Sequence, residues 1–166
     1  MRLVSSAVAA VLFATLLSPA AAAERFVNKD GGYSIQFPEG WTAQKEGHGA
    51  AAANAAGDTR VEIEAGKLPN GVTVDKYMAI NAESFQKSLN DFKKVKTGQI
   101  ANPINSQVRL MVITFKGANG PVTMTYYYVF STKDRKLWTI ACATTPDKFE
   151  ARSADFDAIV RSMALE

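Results

Sequence analysis

Residues 107–144 decide the fold, and they read QVRLMVITFKGANGPVTMTYYYVFSTKDRKLWTIACAT. Apolar side chains fall on both faces of residues 107–116, 122–131 and 137–144 at a period of two, which is the pattern of buried β-strands. The sequence GANG at 117–120 is typical of a hairpin turn. Strands that are apolar on both faces need cover on both sides of their sheet. The stretch therefore predicts consecutive antiparallel strands with other elements packed on both faces.

The preceding part of the chain supplies further strands. Alternation of apolar and polar residues predicts strands at 33–37, 41–44 and 59–65, and residues 92–100 are expected to be extended. Residues 45–58 are rich in Gly and Ala and contain no large apolar side chain, so they are predicted to form a mobile loop.

Two helices are predicted from apolar stripes at helical spacing. The first covers about residues 74–90 and follows Thr73, which is a favourable N-cap residue. The second begins at Thr145-Pro146-Asp147, and its apolar stripe runs from Phe149 to Met163. The predicted fold class is α+β, with a central antiparallel sheet of about six to seven strands flanked by two main helices. Residues 24–166 are expected to form this single domain.

The first 23 residues have the pattern of a secretory signal peptide. Met1-Arg2 is positively charged, residues 3–17 are mainly apolar, and Ala21-Ala22-Ala23 fits the small-residue cleavage pattern before Glu24. A membrane anchor is the alternative, but a span needs about 20 apolar residues and this core is shorter. We expect residues 1–23 to be removed, which leaves a periplasmic or secreted protein that is not an integral membrane protein.

The composition limits the possible partners and cofactors. The 166 residues include 19 Lys plus Arg and 16 Asp plus Glu, for a net charge of +3, and contain one Cys and one His. One Cys and one His cannot complete a structural zinc site. The basic runs at 93–96 and 133–136 are interpreted as a strand edge and a turn, so no nucleic-acid partner is expected. No metal and no cofactor are predicted.

The candidate catalytic residues are few. Cys142 lies in an apolar strand and is expected to be buried, whereas His48 lies in the loop predicted over residues 45–58. Glu62 and Glu64 share one strand face, where a carboxylate pair could serve acid–base chemistry or bind a hard cation. Alternating Glu residues are also typical of the solvated side of a strand. We therefore predict no catalytic residues and no enzymatic activity.

Two segments carry a resemblance to a known family. The sequence YSIQFPEGW at 33–41 resembles the opening signature of PsbP-like and DcrB-like proteins. Trp138, TTPDKF at 144–149 and IVRSM at 159–163 are similar to the last strand and helix of that family. The resemblance implies a central antiparallel sheet sandwiched by helices. It implies no single activity, because its plant members are extrinsic subunits of photosystem II, a bacterial relative is linked to phage adsorption and a structural cousin binds the Ran GTPase.

The resemblance therefore implies an exported, non-catalytic protein-interaction or assembly module of the PsbP/DcrB-like type. Its partner is expected to be another exported or membrane-associated protein. The alternative is a periplasmic small-ligand or lipid-binding protein with an aromatic-lined pocket. That alternative is suggested by the aromatic residues Tyr126, Tyr127, Tyr128, Phe130, Trp41 and Trp138.

Trp41 and Tyr127 are the candidate binding surface. The period of two along a strand places Tyr127 opposite Tyr126 and Tyr128, on a face that it shares with more polar residues. Trp41 follows a turn at a strand end and is expected to be partly exposed. We hypothesise that both rings lie beside a surface groove, with the segment 45–58 as the next candidate.

Overall fold

The computed structural model describes residues 25–100 and 107–166. The predicted signal peptide and its cleavage site before Glu24 lie outside these residues. Within the two described ranges, no helix combines the length and the hydrophobicity that crossing a membrane requires.

The described residues form ten strands and two helices in two antiparallel sheets. In chain order they are β1 (Arg25–Asn28), β2 (Tyr33–Gln36), β3 (Thr42–Glu46), β4 (Gly49–Ala53), β5 (Thr59–Lys67), α1 (Val74–Ser88), β6 (Asn90–Ile100), β7 (Gln107–Gly117), β8 (Gly120–Phe130), β9 (Lys136–Thr144), α2 (Phe149–Ser162) and β10 (Ala164–Leu165). The large sheet has the order β3-β4-β5-β9-β8-β7-β6, and the small one has the order β1-β2-β10. The predicted α+β class with a seven-stranded antiparallel sheet is confirmed.

Residues 45–58 do not form the predicted loop. They contain β4, whose residues Ala50, Ala51 and Ala52 are buried and pair with β3 on one side and β5 on the other. Alanine gives no visible apolar alternation and has a low strand propensity, but pairing on both sides overrides that propensity. The short strands β1 and β10 were also not predicted.

The large sheet separates two apolar cores. On one face, alternate residues of the strands pack against α2 and the small sheet, and the buried α2 residues are Phe156, Ile159 and Val160. On the other face, residues such as Met111, Ile113 and Tyr128 pack against α1. The sequence prediction that both faces need cover is therefore correct, because successive strand residues point to opposite faces.

Both helices are near their predicted positions. The Thr73 hydroxyl accepts a hydrogen bond of 3.2 Å from the amide of Lys76, so Thr73 is the predicted N-cap of α1. The second helix begins at Phe149 and not at Thr145, because residues 145–148 form a turn in which the Lys148 amide donates to the Thr145 carbonyl.

The small sheet is tied to the rest of the domain by hydrogen bonds. The Trp138 indole Nε1 donates to the buried carbonyl of Gly31 at 2.9 Å. The Gln36 amide donates to Ser162 Oγ at 2.9 Å, and the Glu166 amide donates to the Gly32 carbonyl at 3.1 Å. These bonds hold the β1–β2 hairpin against α2 and β9.

Candidate functional site

Tyr127 lies in the core and not at the surface. Its side chain is 2% exposed, and its hydroxyl donates to the Asp157 carboxylate of α2 at 2.7 Å. Burial, followed by the hydrogen bond to Asp157, raises the pKa of Tyr127 well above its ordinary value. The expectation of an exposed Tyr127 ring beside a groove is therefore not met. The polar neighbours Thr123 and Thr125, which suggested an exposed face, are themselves buried.

Trp41 is partly exposed, as expected for a residue at a strand end. Its ring stacks on Phe37 with a centroid distance of 6.3 Å and packs against the core on the α2 side of the sheet. A binding role for Trp41 stays a prediction, and Tyr127 does not supply a second exposed ring for it.

The opposite face of the large sheet contains a groove beside α1, which we call the α1 groove. It has a volume of about 310 Å³ and is lined by residues of β5, α1, β8 and β9: Glu62, Glu64, Tyr77, Asn81, Phe85, Met124, Tyr126, Thr139 and Ala141.

The register of three neighbouring strands creates the groove. Glu62 of β5 pairs with Ala141 of β9, and Ala141 pairs with Tyr126 of β8. In the next row, Glu64 pairs with Thr139. The small side chains of β9 therefore lie between the long side chains of β5 and β8. These two strands are about 10 Å apart, which is two strand spacings. The result is a concave surface with a floor made by β9.

Helix α1 forms one wall because it packs over β6 and β7, and its Phe85 stacks on Tyr126 of β8. Tyr77, Asn81 and Phe85 are spaced by four residues and therefore follow one side of the helix. The Asn81 amide donates to the Tyr128 hydroxyl at 3.3 Å, which fixes this side of the helix to the sheet.

The aromatic side chains of this wall contact one another. The rings of Phe85 and Tyr126 stack with a centroid distance of 4.9 Å, and Tyr126 stacks on Tyr128 at 6.3 Å. Tyr77 meets Tyr128 edge to face at 6.1 Å. Because each ring is held by a neighbour, the wall is preorganised and loses little conformational freedom when a ligand contacts it.

The wall opposite the helix is negatively charged. Glu62 accepts an ion-pair hydrogen bond from Arg60 Nε at 2.8 Å, whereas Glu64 has no ion pair with any described residue. Burial, together with the charges of Glu62 and Glu64, raises the pKa of Tyr126 to about 12. The Tyr126 phenol is therefore protonated at neutral pH and can both donate and accept a hydrogen bond.

The candidate nucleophile is not accessible. Cys142 is fully buried on β9, as predicted, and burial raises the pKa of its thiol far above the ordinary range. His48 is exposed in the turn between β3 and β4, with Nδ1 3.0 Å from the Asp30 carbonyl oxygen. Among residues 25–100 and 107–166, no three His, Cys, Asp or Glu side chains converge as metal ligands.

No protein-family model matches the sequence, and no curated protein matches it in sequence. Solved structures do match. The cyanobacterial PsbP protein (CyanoP) of Synechocystis superimposes with a TM-score of 0.66 at 13% identity, over 91% of this chain and 99% of that chain. The chain has the PsbP-like fold.

Two further structures share the PsbP-like fold. LpqN of Mycobacterium tuberculosis, which is involved in cell envelope biogenesis, has a TM-score of 0.62 at 11% identity over 80% of this chain and 82% of its own. The Ran-binding protein Mog1p of Saccharomyces cerevisiae has a TM-score of 0.61 at 6% identity over 86% and 94%. The superpositions establish the fold, and at identities this low they assign no function.

The α1 groove is not evident from the sequence, although several of its residues are candidates there. The alternation around Glu62 and Glu64 is typical of a solvated strand face, and the spacing of Tyr77 and Phe85 is typical of the core stripe of a helix. The signal that could have joined them is the pairing of β5 with β9 and of β9 with β8, which places Ala141 between Glu62 and Tyr126.

Proposed function

We propose that this chain is an exported, non-catalytic protein-interaction module and that the α1 groove is its recognition surface. The partner is another exported or membrane-associated protein. The observation that carries the proposal is the groove itself, in which the aromatic wall of Tyr77, Phe85 and Tyr126 faces the carboxylates of Glu62 and Glu64.

The composition of the groove supports recognition of a protein. Tyr and other aromatic residues are enriched in protein interfaces, where they combine apolar area with hydrogen-bonding groups. Charged groups at the edge of such a surface favour the correct partner and orientation. The similar folds include a Ran-binding protein, which supports a binding role by analogy alone.

A small-ligand-binding protein is the second candidate. Ligand pockets have volumes of roughly 300–1,000 Å³, and the α1 groove, at about 310 Å³, lies at the lower end of that range. Native mass spectrometry of the purified protein tests this alternative. A retained small molecule that is lost when Tyr126 is replaced by Ala would favour it over a protein partner.

Site-specific photo-crosslinking in the producing cell tests the main proposal. A benzophenone amino acid at position 85 lies in the groove, whereas the same group at exposed Ala154 of α2 is a matched control. We expect a discrete protein adduct from position 85 and none from position 154. An adduct from position 154 alone, or from neither position under conditions where the protein is folded, would contradict the proposal.

A further inference from the structure

We infer that the α1 groove receives a cationic aliphatic side chain, lysine or arginine, supplied by the partner protein. This inference rests on the proposed function and adds the chemistry of the group that is recognised. It is carried by the combination, in one concave site, of an aromatic wall and two carboxylates.

The aromatic wall suits the aliphatic part of such a side chain. Lysine and arginine bury their methylene groups against apolar surface while the charged end stays near polar groups. Phe85, Tyr77 and Met124 offer that surface, and Ala141 keeps the floor low enough for a side chain to lie across it. Cations also interact favourably with the electron-rich faces of aromatic rings.

The β5 wall suits the charged end. Glu64 has no cationic partner among the described residues, and Glu62 forms an ion pair with Arg60. The Tyr126 hydroxyl is protonated and lies close enough to both carboxylates for their charges to affect its pKa. A cation that enters the groove therefore meets one uncompensated carboxylate, one paired carboxylate and a phenol oxygen that can accept a hydrogen bond.

The same residues suit a metal ion less well. A hard divalent cation takes six or more oxygen ligands, and here two carboxylates on alternate residues of one strand face rings and a methionine. Aromatic carbon supplies no ligand to such an ion, but it stabilises an organic cation. The volume of about 310 Å³ leaves room for one extended side chain with part of its backbone.

Titration with side-chain analogues tests the inference directly. Isotopically labelled protein is titrated with N-acetyl-lysine methylamide and with the arginine analogue, and amide chemical shifts are recorded. We expect saturable shifts on β5, β9 and the groove side of α1. The neutral control is the same lysine analogue acetylated at Nζ, which has the same methylene chain without the charge and is expected to cause no saturable shift.

Variants of the two glutamates test whether their carboxylates bind the cation. Glu64→Gln should weaken binding of the lysine analogue about threefold, and the Glu62→Gln/Glu64→Gln pair about tenfold, as expected for partly exposed charges. Glu150→Gln, at an exposed position of α2 outside the groove, removes an equal charge and should leave the affinity unchanged. Raising the salt concentration should weaken binding to the wild type more than to the double variant.

The outcomes separate this inference from the proposed function. Equal binding of the acetylated analogue would overturn the inference that the groove receives a cationic side chain. Saturable shifts with Ca²⁺ in place of the amines would overturn it as well. A partner that crosslinks at position 85 with equal yield in the Glu62→Gln/Glu64→Gln variant would also overturn it and leave the proposed function standing. If free putrescine binds in the groove and no protein adduct forms at position 85, the inference that a partner protein supplies the cation is overturned.

Discussion

Replacing Tyr127 and its neighbour Tyr126 separates a core residue from a groove residue. Tyr127→Ala removes a ring that is 2% exposed, and truncation of a buried aromatic side chain costs about 3–5 kcal/mol. Tyr127→Phe keeps the ring and removes only the hydroxyl that donates to Asp157. Because Asp157 is partly exposed and water can replace the lost donor, we expect a loss of about 1–2 kcal/mol.

Urea unfolding, followed by the fluorescence of the two tryptophans, measures these changes. Since whole domains are stable by about 5–15 kcal/mol, Tyr127→Ala should lower the unfolding midpoint strongly at an unchanged slope. Tyr126→Ala is the matched comparison because its ring points to the opposite face and is partly exposed. It should cost less stability, about 1–2 kcal/mol including the stacking with Phe85, and it should impair partner binding.

The reverse result would refute this reasoning. If Tyr127→Ala leaves the unfolding midpoint unchanged but abolishes partner binding, then Tyr127 is a contact residue and the assignment of the two faces is wrong. If Tyr127→Phe retains binding at a slightly lower stability, then the role of Tyr127 is structural, as the contact with Asp157 indicates.

Three other expectations concern stability and reactivity. The thiol of Cys142 should resist a thiol reagent at pH 8 in the native protein and react after unfolding, because burial raises its pKa; rapid native labelling would contradict its burial. Hydrogen bonds from Lys148, Asn54 and Thr59 hold the pKa of Asp58 below its usual 3.8. The stability that the ionised Asp58 contributes is therefore complete above about pH 4 and is lost progressively as the pH falls from there toward the lowered pKa. Asp58→Asn should therefore reduce the acid dependence of the unfolding midpoint. Gly49→Ala should destabilise the fold strongly, because its Cβ would lie 2.1 Å from a carbonyl oxygen of β5, whereas Gly66→Ala meets no atom within 4 Å and should be nearly neutral by the same urea assay.

The centre of the fold could be predicted because its signals are local. Strands β7, β8 and β9 are apolar runs separated by turns, and Thr73 marks the start of α1 by a hydrogen bond within four residues. Strand β4 could not be predicted, since a run of alanines gives no alternation and becomes a strand only by pairing with β3 and β5. The short strands β1 and β10 also depend on pairing with β2.

The candidate site could not be predicted for a related reason. Strand β9 lies beside β5 in the sheet, although α1, β6, β7 and β8 separate the two strands in the chain. The sequence therefore gives no indication that Ala141 separates Glu62 from Tyr126. The period of two did place Tyr126 and Tyr127 on opposite faces correctly, but the assignment of the solvent-facing side depended on where α2 and the small sheet pack.

The small sheet has a consequence for the order of folding. Its strand β2 pairs with β10, and the Gln36 amide meets Ser162 Oγ across 126 residues of chain. Contacts between such distant segments cost more loop-closure entropy than hairpin contacts do, so they tend to form late. A chain that lacked these contacts would expose part of the inner face of the large sheet, which in the folded domain buries Trp138 and Cys142. Exposed apolar surface of this kind is what chaperones bind and what promotes aggregation between chains.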